Sequence, residues 1–378
     1  MGDSTQVTLF FGPQVWFDAE LGRKKRTYLI DAVNELDEFR RRITHRHVVP
    51  GQDSPEVDEE LPARAIRLVA KSGDYASLQE HAVTNFVGLI QTMSPKHLWL
   101  HNPPATIQAQ LERAFNVKAR TYEYPVVAQA TLRAFRDQFG QHVIGQERVG
   151  RRVLAALYGL TTPDRLKPVV LMFYGPSGVG KTETAQFVNG LLGGQLFRKQ
   201  FSMFQNDKFA SYLFGGTHAE PSFAHDLVDR ASGVILIDEF DKANSIFHSA
   251  FYEMFDEGIF EDKNYRVRLG PAIVICTSNY GSEGEIEQAL GEALTSRFDA
   301  LIQFDALTDQ DLKAILDRLI TSRYSKLTPA DQVMIDINDI HAKLLARAGR
   351  VGNVRKLGKL VDETLALALV DRALASAD

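Results

Sequence analysis

The chain has 378 residues, of which 24% are charged and 44% hydrophobic, and its net charge at pH 7 is −5. These values are typical of a globular protein with two or three domains and argue against a wholly basic nucleic-acid coat. Cys276 is the only cysteine, which excludes an intramolecular disulfide, and its apolar neighbours predict a buried thiol. The N-terminal stretch lacks the pattern of a secretory signal, and no apolar run is long enough to span a membrane. We therefore expect a soluble cytoplasmic protein.

The region up to about residue 125 mixes short strand-like and helical patterns. The runs RAIRLVA and HLWLH are predicted to be strands, and residues 77–93 between them carry apolar residues at helical spacing. The sequence NPP ends the second strand, and ATIQAQLERAF begins another helix. These patterns predict a small α/β domain, in which the acidic, turn-rich segment 50–62 is a loop or a linker.

Two basic runs and one histidine in this region each allow a functional and a structural interpretation. The basic runs cover residues 21–28 and 38–47, and such charges on one face could bind nucleic-acid phosphates. Acidic residues flank both runs, which favours a solvated helix face instead. His101 could act as a general base, but no paired nucleophile accompanies it and a Pro-Pro turn follows, so a structural role is favoured.

The pattern changes after residue 125. Strongly apolar runs, VVLMFY, GVILID and AIVICT, alternate with helical patterns as far as about residue 305. Continuous apolar strands of this kind are typical of a parallel sheet that is covered by helices on both faces. The remaining residues, to 378, have an almost wholly helical pattern, which predicts a small helical domain.

A glycine-rich loop, GPSGVGKT, follows the first apolar strand and precedes a helical pattern. In such a loop the glycines allow backbone N–H groups to turn inward around phosphates. The lysine would reach the β- and γ-phosphates of ATP, and the threonine hydroxyl would bind Mg²⁺. The alternative is an ordinary glycine-rich turn with no ligand. The position of the loop between a strand and a helix favours phosphate binding over that alternative. The predicted ATP-binding residues of the loop are Gly175, Pro176, Ser177, Gly178, Val179, Gly180, Lys181 and Thr182.

An acidic pair, Asp238 and Glu239, follows the second apolar strand. Ligand sites in open α/β sheets lie at the carboxyl ends of strands, where this pair is predicted to be. Asp238 would hold the Mg²⁺ shell, and Glu239 would orient and polarise the attacking water. A strand that ends in two acidic residues is often only a strand that meets solvent, but after a phosphate-binding loop the pair predicts ATP hydrolysis.

From VIGQ to the C-terminus, the sequence resembles the AAA+ ATPases of the Clp unfoldase group, which includes the torsins. This resemblance implies a P-loop NTPase core, with a parallel sheet flanked by helices, and a small α-helical lid. VIGQ matches the segment that borders the adenine, which implies that Val143 and Ile144 contact the base. AIVICTSNYGS would supply Asn279 as the sensor-1 residue. LTSRFDALIQF would supply Arg297 as an arginine finger at a subunit boundary, and GNVRKLGKLV would supply Arg355 as sensor 2.

The segment that carries the pore loop in the Clp group departs from the family pattern. In that group a Gly-aromatic-hydrophobic-Gly loop points into the central pore of the ring and pulls polypeptide. Residues 201–215 resemble the start of the family segment and 216–230 resemble its end, but no such loop lies between them. Tyr212 and Phe214 are predicted to pack at the end of a short helix, and FDEGIFEDKNYRVRLG resembles the hairpin before sensor 1. Torsins depart from the pattern in the same way, so remodelling without threading is expected.

Three classes of function follow from these patterns. The favoured one is an oligomeric AAA+ ATPase, in a hexameric ring or a helical filament, that couples ATP hydrolysis to remodelling or switching of a protein partner. The alternative is a nucleic-acid-associated AAA+ ATPase of a mobile-element or phage-defence system. A scaffold that binds ATP without hydrolysing it is disfavoured by Glu239, Asn279 and Arg297. The expected domains are an N-terminal domain for a substrate or adaptor (1–125), a large ATPase domain (126–305) and a helical lid (306–378).

Overall fold

The structure is a computed structural model, and it describes residues 5–23, 25–44, 64–162, 165–203, 208–243, 245–348 and 353–375. The predicted loop at 50–62 lies outside the described residues. The chain divides into two compact units. The first unit contains residues 1–124, 206–231 and 258–269, and the second contains residues 125–205, 232–257 and 270–378.

The N-terminal part of the chain alternates strands with helices. In chain order its elements are β1 (Gln6–Phe11), α1 (Gln14–Leu21), β2 (Thr27–Tyr28), α2 (Leu29–Thr44), β3 (Arg67–Ala70), α3 (Glu80–Thr84), α4 (Phe86–Met93), β4 (His97–His101), α5 (Ala105–Ala114) and β5 (Val117–Thr121). The strands predicted at RAIRLVA and HLWLH are β3 and β4, and the helix predicted after NPP is α5, so these three predictions are confirmed.

The helical pattern predicted over residues 77–93 is confirmed, but it forms two helices, because the chain breaks between α3 and α4. Asn85 stands at the break with a non-helical backbone (φ −120°, ψ 51°). Its side-chain oxygen accepts a hydrogen bond from the Gly88 N–H at 3.3 Å and so caps the start of α4. Asparagine competes for backbone hydrogen bonds in this way, and the apolar periodicity alone does not reveal the break.

The elements of the remaining chain follow the predicted change of pattern. As far as the second sheet they are α6 (Gln129–His142), α7 (Glu147–Tyr158), β6 (Val169–Tyr174), α8 (Lys181–Leu192), β7 (Phe197–Gln200), α9 (Lys208–Phe214), α10 (Phe223–Val228), β8 (Val234–Asp238), α11 (Tyr252–Asp256), β9 (Ile259–Glu261), β10 (Arg266–Arg268), β11 (Ile273–Thr277), α12 (Glu283–Leu290), α13 (Glu292–Thr295) and β12 (Ala300–Gln303). The C-terminal helices are α14 (Asp309–Tyr324), α15 (Pro329–Met334), α16 (Ile337–Ala348) and α17 (Val354–Ala375).

The first unit is built on a parallel sheet with the strand order β2-β3-β4-β1-β5. Its core contains Leu9, Leu68, Leu98 and Leu100 from the three central strands, packed against the helices. Two later pieces of chain also belong to this unit: residues 208–231, with α9 and α10, and residues 258–269, with the antiparallel hairpin β9–β10. We call these two pieces together the insert.

The second unit is built on another parallel sheet, with the order β12-β6-β11-β8-β7. Every residue of β6, β8 and β11 is buried, which agrees with the continuous apolar runs of the sequence. Each fully buried aliphatic side chain contributes about 1.5–3 kcal/mol relative to exposure. The predicted α/β fold with parallel sheets flanked by helices is confirmed. Because the strands are parallel, the carboxyl ends of β6, β8 and β11 meet at one edge.

The C-terminal helices α14, α16 and α17 pack around a separate hydrophobic core that includes Leu316, Leu344, Leu357 and Val361. The predicted helical pattern is therefore confirmed, while the domain boundaries at residues 125 and 305 stay predictions. Cys276 is buried in β11, as its apolar neighbours predict. No helix in the described part of the chain is long and apolar enough to cross a membrane.

Candidate nucleotide-binding site

A cavity of about 420 Å³ lies at the carboxyl edge of the second sheet. Its wall is formed by residues that follow β6, β8 and β11, together with residues of α14 and α17. The predicted site residues on this wall are Val143, Ile144, residues 177–182, Asp238, Glu239, Asn279 and Arg355. The sheet and the helices thus bring together, in one place, side chains that are far apart in the sequence.

The loop between β6 and α8 depends on its glycines. Gly175, Gly178 and Gly180 have φ values of 129°, 77° and 106°, in the region that side chains with a Cβ disfavour. At Gly175 an added Cβ would lie only 2.3 Å from the carbonyl oxygen of Phe304. The loop leads directly into the N-terminus of α8, where free N–H groups and the helix dipole favour a bound phosphate.

Lys181 is the first residue of α8, and its side chain is buried. Its Nζ donates to the carbonyl oxygens of Gly175 at 2.6 Å and Pro176 at 2.7 Å. It also donates to Asn279 Oδ1 at 3.3 Å. Burial lowers the pKa of Lys181 to about 8, although two nearby aspartates favour its charged form. A phosphate in the loop would raise this pKa again, because an anion stabilises the ammonium ion.

Asp238 is the buried last residue of β8. Its Oδ1 accepts a hydrogen bond from the Thr277 hydroxyl, which lies at the end of β11, at 2.5 Å. Its Oδ2 accepts from Arg198 Nε at 3.1 Å and also contacts the Arg198 Nη2. Partners on the two neighbouring strands, β7 and β11, therefore fix the orientation of this carboxylate.

Glu239 follows β8 with a left-handed backbone, at φ 57°. A non-glycine residue in this region costs about 1–3 kcal/mol, and such strain concentrates at functional sites. The Glu239 N–H donates to Thr277 Oγ1 at 3.0 Å, and Gln200 Nε2 donates to Glu239 Oε2 at 3.0 Å. Hydrogen bonds from Ser202 and Gln200 hold the pKa of Glu239 below its usual range. The side chain is therefore an ionised carboxylate on the cavity wall.

The segment VIGQ borders the opposite part of the cavity. Val143 and Ile144 line the wall, as predicted for residues beside a base. Gln146 is buried, and its Nε2 donates to the carbonyl oxygens of Asp305 at 2.9 Å and Val179 at 3.3 Å. Its Oε1 accepts from the Asp305 N–H at 3.3 Å. Gln146 thus joins this segment to the phosphate loop and to the chain that follows β12.

Two arginines from the C-terminal helices line the cavity. Arg355, near the start of α17, is the predicted sensor-2 residue, and its positive charge lowers the pKa of Glu239. Arg318, on α14, donates to the His142 carbonyl oxygen at 2.9 Å and was not predicted. Both side chains are exposed and carry positive charge at the mouth of the cavity.

Arg297 is not among the described residues that line the cavity of its own chain. Its Nε donates to Asp256 Oδ2 at 2.7 Å, and its guanidinium lies 4.5 Å from the centre of the Tyr252 ring. About a quarter of the side chain is exposed. A position outside its own site is compatible with the predicted finger for a neighbouring subunit, which stays a prediction.

Sequence patterns did not identify four residues that hold the acidic pair: Arg198, Gln200, Ser202 and Thr277. Arg198 and Gln200 are two residues apart in β7, so their side chains project from the same face of that strand, and Ser202 follows just after its end. This alternation is visible in FRKQFS, but nothing local indicates that β7 pairs with β8. The register Gln200–Asp238 places them beside the acidic pair.

In the first unit, the predicted short helix is confirmed as α9, which ends at Phe214, but the Phe214 side chain is exposed rather than buried. Tyr212 is buried, and its hydroxyl donates to Asp226 Oδ2 at 2.6 Å. His101 is also buried, and its Nε2 lies 2.7 Å from the Gly12 carbonyl oxygen. Burial lowers the pKa of His101 to about 4, so the ring is neutral at pH 7 and has the structural environment that the sequence favours.

The predicted basic runs lie only partly within the described residues. Arg40 and Arg41 are exposed near the end of α2, close to Glu38, while the side chain of Arg42 and residues 45–47 lie outside the described part. In the first run, residue 24 is likewise outside it. Interspersed acidic residues on α2 leave a mixed surface rather than a continuous basic face.

Comparison with known proteins agrees with this geometry. A family model for an AAA domain (Cdc48 subfamily) matches residues 167–322. The ATP-dependent Clp protease ATP-binding subunit ClpE of Streptococcus pneumoniae is 28% identical over 246 residues, which cover 56% of this chain and 32% of ClpE. The chaperone protein ClpB of Mycobacterium tuberculosis is 28% identical over 269 residues, which cover 65% of this chain and 32% of ClpB. Residues 167–322 thus match an AAA domain, and the chain is similar to Clp-type AAA+ ATPases.

The chain spans about one third of the length of these two relatives. ClpB of Yersinia enterocolitica is 35% identical over a shorter stretch of 158 residues, which covers 38% of this chain and 18% of that protein. The closed-state cryo-EM structure of Hsp104 with ATPγS and FITC-casein matches with a TM-score of 0.54 and 18% identity. It covers 81% of this chain and 61% of the Hsp104 chain, and at this identity the match shows the fold alone.

Proposed function

We propose that this chain hydrolyses ATP within an assembly of its own copies and uses the cycle to remodel a protein partner. The observation that carries the proposal is a single cavity that combines the phosphate loop, Glu239 after β8, Asn279 after β11 and Arg355 from α17. A glycine-rich turn or an acidic strand end with only a structural role would not require these groups to converge. The neutral wall at Val143 and Ile144 suits the base of the nucleotide.

The donor groups of the cavity fit Mg²⁺. Thr182 and Asp238 lie on the same wall and offer a hydroxyl and a carboxylate oxygen, the ligand type that this cation prefers. Bound with ATP, the cation would neutralise charge on the β- and γ-phosphates. Arg198 neutralises Asp238 in this structure and would compete with the cation for that carboxylate.

The residues around the phosphate loop have complementary roles in this proposal. Glu239 orients the attacking water and accepts its proton, which requires the ionised carboxylate that Gln200 and Ser202 favour. Lys181 and Arg355 place positive charge where the γ-phosphate would lie. An arginine supplied by a neighbouring subunit typically raises the rate about 10³–10⁵-fold, and we assign this role to Arg297.

The structure of the insert supports remodelling without threading, as in the torsins. Tyr212 is buried, with its hydroxyl bonded to Asp226, so it is not available to grip a polypeptide. Phe214 is 44% exposed, but no Gly-aromatic-hydrophobic-Gly loop surrounds it. We assign binding of the protein partner to the N-terminal domain, and self-association into a ring or filament to the ATPase part.

Two substitutions test the hydrolytic assignments. Glu239→Gln keeps the shape of the side chain but removes the proton acceptor, so it should retain ATP and stabilise the oligomer. Arg297→Ala should lower turnover about 10³-fold or more without weakening ATP binding, because the finger acts in the neighbouring site. Phosphate release measures turnover, calorimetry measures ATP affinity, and light scattering measures assembly.

Arg136→Ala is the matched control, because Arg136 is an exposed arginine whose side chain is two-thirds accessible. It should leave all three measurements unchanged. Undiminished turnover in Arg297→Ala would contradict the finger assignment, and undiminished turnover in Glu239→Gln would contradict the assigned role of the acidic pair.

A further inference from the structure

The insert folds as one piece although its two segments are separated in the sequence. The Phe223 ring in α10 packs edge-on against the Phe260 ring in β9, with the ring centres 4.9 Å apart. The Lys263 N–H donates to the Phe214 carbonyl oxygen at 3.0 Å, which joins the hairpin to the end of α9. These contacts join the two segments of the insert directly.

One end of the insert binds the first turn after β1. Asp229 Oδ1 accepts a hydrogen bond at 3.0 Å from the N–H of Gln14, the first residue of α1. Burial raises the pKa of Asp229 to about 6, while the hydrogen bond from the Gln14 N–H opposes this shift and favours the carboxylate. Asn102, just after β4, donates to the same oxygen at 3.5 Å and exchanges two hydrogen bonds, of 3.0 and 2.9 Å, with the backbone of Gly12. Asp229 therefore contacts the ends of two neighbouring strands.

Other contacts extend this attachment along the carboxyl edge of the first sheet. His225 Nε2 is hydrogen-bonded to the Ser72 hydroxyl, after β3, at 2.7 Å. The Ala105 N–H, at the start of α5, donates to the Asn264 carbonyl oxygen at 2.7 Å. The carboxyl edge is the part of an open α/β sheet where ligands usually bind. In this chain the insert occupies it.

The insert is also connected covalently to the nucleotide site. Its first segment ends at residue 231, three residues before β8, which carries Asp238 and leads to Glu239. Its second segment ends at residue 269, four residues before β11, which leads to Asn279. A shift of either strand end on nucleotide binding would be passed to the insert through these short connections.

We propose that the insert is an output arm that carries the nucleotide state of the ATPase to the N-terminal domain, and that Asp229 and His225 attach it there. The inference rests on the proposed ATPase function, and it adds that the N-terminal domain is the part on which the cycle acts.

The fluorescence of a native tryptophan can report on this attachment. The chain has two tryptophans, Trp16 and Trp99. Trp16 lies in α1, two residues after Gln14, and its ring centre is 5.7 Å from that of Tyr122. Trp99 lies within β4, where its ring faces Arg67 at 4.7 Å. Both rings also contact Phe10, with ring centres 5.8 and 5.1 Å away, but only Trp16 lies in α1 itself. A change at the start of α1 should therefore alter the emission of Trp16 more than that of Trp99.

The test compares full-length chains that each keep one tryptophan. In Trp99→Phe, the emission of Trp16 should shift between the nucleotide-free, ADP and ATPγS states. Adding Asp229→Ala and His225→Ala should abolish this shift while the nucleotide affinity, measured by calorimetry, stays unchanged. In Trp16→Phe, the emission of Trp99 should respond less than that of Trp16 does in Trp99→Phe. Glu220→Ala, which removes an exposed charge of the insert, is the control and should keep the response.

A second measurement needs no substitution. Hydrogen exchange of the peptides that cover residues 218–231 should differ between the ADP and ATPγS states of the unaltered protein. The output-arm proposal would be overturned by identical exchange in the ADP and ATPγS states. It would also be overturned if the Trp16 response survives Asp229→Ala and His225→Ala. A chain that binds no nucleotide in the calorimeter would contradict the proposed function itself, so the two failures are distinguishable.

Discussion

Lys181 illustrates how a single residue prepares the site for a phosphate. Its ammonium group is buried and donates to two neutral carbonyl oxygens, which compensate its charge only in part. For this reason burial lowers its pKa to about 8, well under the ordinary value of 10.5. The γ-phosphate of ATP would supply the missing negative charge, so binding of ATP and protonation of Lys181 are linked.

This linkage predicts that ATP affinity falls as the pH rises above about 8. Above that pH, the free protein holds Lys181 largely neutral, and ATP binding must take up a proton; the affinity can then fall by up to about tenfold per pH unit. Calorimetry of ATPγS binding at pH 8 in buffers of different ionisation enthalpy should show this uptake. Binding of adenosine, which has no phosphate, is the control and should not vary over this range. A pH-independent affinity for ATPγS would contradict the role of Lys181.

At the scale of elements, the loop before α8 is shaped by its backbone rather than by its side chains. Gly175 combines a φ of 129° with the close approach of the Phe304 carbonyl. The chain that follows β12 therefore packs against the phosphate loop at a point where no side chain fits. Gln146 supports the same junction through its hydrogen bonds to Val179 and Asp305.

Two alanine substitutions separate this constraint from the general effect of removing a glycine. Gly175→Ala should lower the free energy of unfolding by about 1–3 kcal/mol or more, because it imposes backbone strain and a clash. Gly190→Ala is the control: Gly190 is an exposed residue of α8, and an added Cβ there meets no atom within 4 Å. It should stabilise the protein by about 0.5–1 kcal/mol. Urea unfolding curves measure both, and equal effects would argue against the strained loop.

At the scale of the whole molecule, the proposed site would be complete only when copies of the chain assemble. Arg297 is held by Asp256 and Tyr252 outside the cavity of its own chain. Hydrolysis would then depend on a neighbour, and nucleotide turnover would report assembly. The same arrangement would allow one subunit to pass its nucleotide state to the next.

A mixing experiment tests this dependence. Lys181→Ala chains cannot hold the phosphate but keep Arg297, while Arg297→Ala chains keep the phosphate loop but lack the finger. Each variant alone should be nearly inactive. Mixed assemblies should recover turnover, since Lys181→Ala subunits supply Arg297 to intact loops next to them. If the phosphate-release rate of the mixture is only the sum of the two separate rates, the arginine does not act between subunits.

The sequence by itself determined the elements whose signal is local. The phosphate loop, the acidic pair and the buried strands β6, β8 and β11 each depend on residues that are adjacent in the chain, and their burial follows from continuous apolar runs. The helical C-terminal region is local in the same sense. These features carried the prediction of the fold class and of most of the cavity wall.

Only the tertiary structure decided which distant segments meet. The pairing of β7 with β8 brings Arg198 and Gln200 to the acidic pair, and β11 brings Thr277 to it. The insert likewise belongs to the N-terminal unit although it lies within the ATPase part of the sequence. Strand order and docking depend on hydrogen bonds and packing between residues that are far apart in the chain. A local sequence pattern indicates the secondary-structure propensity of a segment, but it does not indicate which distant segment that segment pairs with.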